Sequence, residues 1–139
     1  MEYKPLSIYI HWPFCKSKCP YCDFFKKLKK DLDQTPIIDT YIKELDYYYS
    51  LIPNRVVRSV FFGGGTPSLI KPENISRIIE HIYKLWPIEK NIEISLEANP
   101  NSEYENMFKL IKNAGINRLS LGIQALNDAD LKFLGRHKE

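Results

Sequence analysis

Four short runs rich in β-branched, aromatic and leucine residues recur along the chain, each trailed by a stretch of helical periodicity. That alternation constrains the fold more than any other feature. The runs are LSIYIHW (6–12), VVRSVFF (56–62), NIEISLEA (91–98) and NRLSLGI (117–123). Their length and residue types predict strands. After the first, Ile38, Tyr41, Ile42, Leu45, Tyr48, Tyr49 and Ile52 fall on one face of a predicted helix over 36–52. After the second, Pro72 suits the first turn of a helix over 72–86, with Ile75, Ile78, Ile79 and Ile82 as its apolar stripe. After the third, Ser102 and Glu105 have capping-box spacing, Phe108, Ile111 and Ala114 face inward, and Gly115 sits where a helix over 102–114 would end. A fourth helix starts near Asn127 and carries Leu131 and Leu134. Strand then helix, four times over, implies an α/β fold: a parallel sheet with helices outside it, joined by right-handed crossovers.

Composition narrows the class. A chain of 139 residues suffices for one domain with a core, and 44% apolar with 27% charged residues is a soluble globular balance. A net charge of +3 is too mild to suggest a nucleic-acid partner. The start MEYKPLSIYIHW lacks a basic n-region and a long apolar h-region, and no apolar run approaches membrane-spanning length. A cytoplasmic protein without a transmembrane segment is the expectation. The basic run KKLKK (26–30) reads as a solvated loop rather than a partner or membrane contact.

In parallel α/β folds the loops after the strands converge on one rim, and chemistry gathers there. Each special feature of this sequence lands on that rim. A cysteine loop follows the first strand, GGGTPS (63–68) the second, EANP (97–100) the third and GIQAL (122–126) the fourth.

All three cysteines, Cys15, Cys19 and Cys22, fall in HWPFCKSKCPYCDF (11–24) with C-x3-C-x2-C spacing. An odd number of clustered thiols in a cytosolic chain argues for metal rather than a disulfide framework. Thiolates are soft ligands that suit an iron–sulfur cluster or zinc, and His11 is a candidate fourth ligand for a Cys3His zinc site. Spacing alone leaves both open. Gly63, Gly64 and Gly65 let a ligand approach the backbone, or simply make a tight turn; the run is neither a P-loop nor G-x-G-x-x-G. Glu97, among apolar neighbours at a strand end, needs either a cationic ligand group or a salt-bridge partner. Gln124 and Arg136 are weak signals individually.

Together, YIHWPFCKSKCPYCDF, FFGGGTPS, ISLEANP and LSLGIQALND…LKFLGR make the chain resemble the radical S-adenosylmethionine enzymes. Within them it is similar to the group holding oxygen-independent coproporphyrinogen III oxidase and the bacterial heme chaperone. The resemblance implies the first four units of a partial (β/α)6 barrel. It also implies a 4Fe–4S cluster on Cys15, Cys19 and Cys22, whose fourth iron takes the amino and carboxylate groups of S-adenosylmethionine. Reduction of the cluster by an electron donor then cleaves the C5′–S bond homolytically. By motif position, Tyr9, Tyr21, Gly64, Gly65, Thr66, Glu97, Gln124 and Arg136 are the implied cofactor-binding residues. Tyr9 would lie beside the cluster, Tyr21 against adenine, and Gly64, Gly65 and Thr66 along the cofactor. Glu97 would meet the methionine ammonium, Gln124 the ribose and Arg136 the methionine carboxylate.

Two departures direct the reading further. The oxidases extend the signature with a fourth cysteine, where this chain has Phe24, and they carry a longer segment before the first strand. Both favour the heme-chaperone type, with heme or porphyrin as partner, over true coproporphyrinogen oxidation. The family's chains are also several times longer. Residues 1–139 are therefore expected to be the N-terminal portion of a radical S-adenosylmethionine core, with later barrel units and a C-terminal domain missing. The expectation is cluster and cofactor binding with weak cofactor cleavage and no heme transfer, unless a second polypeptide supplies the rest. The enzyme, if active, would be S-adenosylmethionine-cleaving and coproporphyrinogen dehydrogenase-like.

Overall fold

The computed structural model describes residues 3–15, 27–28, 32–100 and 104–136. Its elements are β1 (Lys4–Trp12), β2 (Phe14–Cys15), β3 (Lys27–Leu28), α1 (Thr35–Leu51), β4 (Arg55–Gly64), a 3₁₀ turn (Pro67–Leu69), α2 (Pro72–Leu85), β5 (Ile88–Ala98), α3 (Tyr104–Asn113), β6 (Arg118–Leu121) and α4 (Asp128–Phe133). The four long runs become one parallel sheet in the order β1-β4-β5-β6. Spatial order follows chain order without reversal. Right-handed crossovers wound in one direction put α1, α2 and α3 on one face, as in a barrel wall, and among the described residues the other face is left bare of them.

The two faces differ in chemistry. Ile10 and Trp12 of β1, Val60 and Phe62 of β4, and Ile94, Leu96 and Ala98 of β5 form one core with Ile38 and Leu45 of α1, all four isoleucines of the α2 stripe, and Ile111 of α3. Each valine, leucine, isoleucine or phenylalanine among them, fully buried, contributes about 1.5–3 kcal/mol of transfer free energy. A β-bulge at Arg58 keeps this phase: Leu6 pairs with Val57 but Ser7 with Ser59, so one residue of β4 is left over. Val57 is buried before the bulge, and Val60 and Phe62 after it. Strict alternation would have turned one of these sets outward.

Helix ends follow their local chemistry. Pro72 opens α2, with Glu73 in its first turn and Lys84 in its last. Gly115, at φ +119°, closes α3. Its N–H donates to Lys112 O at 3.1 Å and that of Ile116 to Ile111 O at 3.2 Å, the paired bonds of a Schellman motif. The buried Ile111 and Ile116 supply its apolar contact. Asn127 caps α4 by accepting from the N–H of Asp130 at 2.8 Å. Gln34 joins two helix starts: its amide donates to Leu69 O at 2.7 Å and accepts from Lys71 N at 2.9 Å.

Three local expectations change. Tyr48 leaves the apolar stripe of α1 and is 51% exposed, while Tyr41, Ile42, Tyr49 and Ile52 pack against the core beside the buried Ile38 and Leu45. Gly63 and Gly64 finish β4 instead of beginning a loop. Lys27–Leu28, inside the basic run, pairs in parallel with Phe14–Cys15. The capping-box Ser102 lies outside the described residues.

Candidate functional site

The bare face of the sheet carries the polar side chains, and pairing register sets their order. Tyr9, Phe61, Ser95 and Arg118 form one row across the four strands. One step toward the rim, His11 pairs with Gly63, and Glu97 with Ser120. The Tyr9 ring stacks on Phe61 with centroids 6.1 Å apart, and its hydroxyl lies 3.0 Å from His11 Nδ1. A β-carbon on Gly63 would stand 2.5 Å from Glu97 Oε1 and 2.9 Å from the Tyr9 ring. Tyr9 and Glu97 therefore converge over a position where glycine leaves them room. Partial burial and then the Glu97 carboxylate hold the Tyr9 phenol above its ordinary pKa.

The cysteine loop is rooted beside this pair. Past β1 the chain is tied to the end of β4: Gly65 N–H donates to Trp12 O, and Thr66 N–H to Phe14 O at 2.9 Å. Gly64 has φ +112°, and a β-carbon there would meet Trp12 O at 2.7 Å and the His11 ring at 2.8 Å. At Gly65 a β-carbon would meet Phe14 O at 2.5 Å and Cys15 Sγ at 3.0 Å. The glycine run is thus the floor on which the first cysteine sits, and Cys15 is buried there. Cys19, Cys22 and Tyr21 lie outside the described residues. Among the described residues no group of three His, Cys, Asp or Glu is placed to hold a metal ion. A soft sulfur ligand beside backbone that carries no side chain at Gly63, Gly64 and Gly65 fits an iron–sulfur cluster with a ligand lying along that run.

The far side of the rim gathers the remaining candidates. Gln124 has φ 62°, in the left-handed region that a non-glycine residue seldom adopts, which marks it as a constrained position. A β-carbon on Gly122 would lie 3.4 Å from Gln124 Nε2 and 3.6 Å from Arg136 Nη2, so these two candidates are neighbours. Arg136 Nη2 donates to Gly122 O at 2.7 Å and to Asn99 Oδ1 at 2.8 Å. Asn99 Nδ2 in turn reaches Thr66 Oγ1 at 3.4 Å. Asn99 was missed by sequence reasoning, although it stands in the EANP motif directly after the β5 end. Its signal was a side-chain amide before a proline at the rim where the strands end. A separate groove of about 270 Å³ runs along the β1 edge, lined in part by Tyr9, His11, Tyr41, Glu44 and Tyr48; it adjoins the site without reaching Cys15.

The family model described as the Radical SAM superfamily matches residues 9–139. The chain belongs to this superfamily. Its sequence is 46% identical over 134 residues to the heme chaperone HemW of Buchnera aphidicola from Acyrthosiphon pisum, and 44% identical over 137 residues to that of Haemophilus influenzae. It is 38% identical to the mitochondrial radical S-adenosyl methionine domain-containing protein 1 of Bos taurus. These matches cover 95%, 95% and 94% of the chain but 35%, 36% and 29% of the relatives, so the chain spans about a third of their length. The structure superimposes on Escherichia coli coproporphyrinogen III oxidase (HemN), a radical SAM enzyme, with a TM-score of 0.86 and 27% identity. That match covers 99% of this chain and 32% of the other. The parallel α/β sheet expected for the first units of this fold is thereby shared with a radical SAM enzyme. No helix among the described residues is long and apolar enough to cross a membrane.

Proposed function

We propose that the chain is the cluster-binding part of a heme-chaperone-type radical SAM protein, formed by the first four βα units of the core. Cys15, Cys19 and Cys22 hold a 4Fe–4S cluster. Tyr9, Tyr21, Gly64, Gly65, Thr66, Glu97, Gln124 and Arg136 bind S-adenosylmethionine. The observation that carries this reading is Cys15 Sγ seated on the Gly65 backbone, with Tyr9 and Glu97 converging over Gly63 two residues away. When bound, the cluster and S-adenosylmethionine supply one-electron reductive cleavage of the C5′–S bond, for which an electron donor is required. The protein's own residues hold and orient: glycines admit the ligand, Glu97 offers a carboxylate to an ammonium, and Arg136 a guanidinium to a carboxylate. Heme or a porphyrin is the partner on this reading, in the cytoplasm, supported by relatives named heme chaperones.

True coproporphyrinogen oxidation is the second reading, favoured by the likeness to HemN. Phe24 in place of a fourth cysteine, and the higher identity to heme chaperones, weigh against it.

Anaerobic reconstitution with iron and sulfide tests the proposal. The expected result is close to four irons per chain, lost on replacing any one of the three cysteines by alanine. S-adenosylmethionine should perturb the electron paramagnetic resonance of the dithionite-reduced cluster. Hemin should give a shifted Soret band, and coproporphyrinogen III should remain unconverted. A chain that takes up zinc instead of iron, or keeps its cluster without Cys15, would overturn the proposal.

A further inference from the structure

We infer that Asn99 is a positioning residue that holds Arg136 across the rim and so sets affinity for the carboxylate end of S-adenosylmethionine. This deepens the proposed function and rests on it for the identity of the ligand. The clamp itself rests on contacts between the chain's own residues.

Asn99 ties two of the four rim loops to the segment after α4. It follows the last residue of β5, its oxygen accepts from Arg136 after α4, and its nitrogen reaches Thr66 after β4. The direction of the amide is fixed by chemistry. A guanidinium only donates, so Oδ1 must face Arg136, and Nδ2 is left to face the Thr66 hydroxyl. Pro100 restricts the backbone of Asn99 to extended conformations, which holds the side chain's root still. Gly122 O is the second acceptor on the same nitrogen, and Gly122 N–H donates to Ala98 O at 2.9 Å. Both acceptors of Nη2 thus sit on adjoining strand ends, and together they fix the guanidinium's orientation.

The choice of asparagine has a further consequence. Its carboxamide orients the guanidinium without cancelling the positive charge. An aspartate would hold the same nitrogen but compensate that charge, reducing attraction for a ligand carboxylate.

Asn99→Ala and Asn99→Asp in the anaerobically reconstituted chain separate these roles. The probes are S-adenosylmethionine and 5′-methylthioadenosine, which keeps the adenosine but lacks the methionine amino and carboxylate groups. Asn99→Ala should weaken S-adenosylmethionine binding about tenfold, the worth of one hydrogen bond to a charged group, and leave methylthioadenosine within about twofold. It should also speed amide exchange across 128–136 in the cluster-free chain. Asn99→Asp should keep that exchange protection yet lose S-adenosylmethionine affinity by a similar factor. Unchanged S-adenosylmethionine binding in Asn99→Ala, or equal loss of both ligands, would overturn the inference. A wild-type chain that loads its cluster but binds no S-adenosylmethionine would sink the proposed function instead. The exchange measurement would then still judge the clamp, which fails if Asn99→Ala leaves 128–136 as protected as before.

Discussion

Glu97 Oε1 lies 2.5 Å from where a β-carbon on Gly63 would stand. The carboxylate and the glycine belong to neighbouring strands, and the sheet's register brings them together on its bare face. The three glycines of the run are consequently not equivalent. A side chain at Gly63 meets the movable ends of Glu97, Phe61 and Tyr9, whereas one at Gly65 meets the backbone carbonyl of Phe14.

Gly65→Ala should therefore be the more damaging change. A backbone clash at the root of the cysteine loop forces the chain apart, at an overpacking cost of about 1–3 kcal/mol. Iron content after anaerobic reconstitution should fall sharply in Gly65→Ala. In Gly63→Ala the cluster should be retained and S-adenosylmethionine affinity should drop, since there the displaced group is the Glu97 carboxylate. Iron analysis and ligand titration of the two variants check the order.

Gly115→Ala separates fold from site. Gly115 closes α3 at φ +119°, and a β-carbon there would sit 3.0 Å from Ile79 Cδ1 in the core. Alanine in that conformation should cost roughly 1–2 kcal/mol. Denaturant unfolding should show the loss, while iron bound per folded chain stays at the wild-type value. A change in cluster content would mean that the α3 terminus communicates with the rim.

The backbone plan was legible in the sequence because strand and helix periods alternate without interruption, and because the α2 stripe and Gly115 carry their usual local signals. The Arg58 bulge was not legible: VVRSVFF reads as a plain strand, and the phase shift appears only when β1 and β5 impose their registers. Tyr48 failed for a related reason, since helical period marks a face but not how far the neighbouring sheet extends beneath it. At the candidate site, residue type singled out Cys15, Glu97 and the glycines, which the structure brings close together. Asn99 and the left-handed Gln124 depend on loop geometry, which spacing does not encode.

Tyr41 gives a pH dependence. Its hydroxyl donates to His11 O, and burial, then the charge of Glu44, push its pKa up to about 12. The unfolded chain would ionise near pH 10, so between pH 10 and 12 it releases a proton that the folded chain keeps. The stabilisation is complete below pH 10 and is lost as pH rises through 12. Thermal melting from pH 9 to 12 should fall more steeply for the wild type than for Tyr41→Phe. Parallel curves would show that this phenol does not govern alkaline stability.

Gln124 offers the opposite trade. A glutamine at φ 62° strains the backbone, and glycine adopts that conformation without the penalty. The larger unfolded-state entropy of glycine offsets part of the gain, so Gln124→Gly should leave stability unchanged or raise it by up to about 1 kcal/mol. S-adenosylmethionine binding should nevertheless weaken, because the side-chain amide beside Gly122 and Arg136 is removed. Gln124→Ala keeps the strain and also lacks the amide, so it should lose both stability relative to Gln124→Gly and affinity relative to wild type. Urea unfolding paired with ligand titration distinguishes the two contributions. If Gln124→Gly binds S-adenosylmethionine as tightly as wild type, the left-handed turn serves the loop alone and the amide has no part in the site.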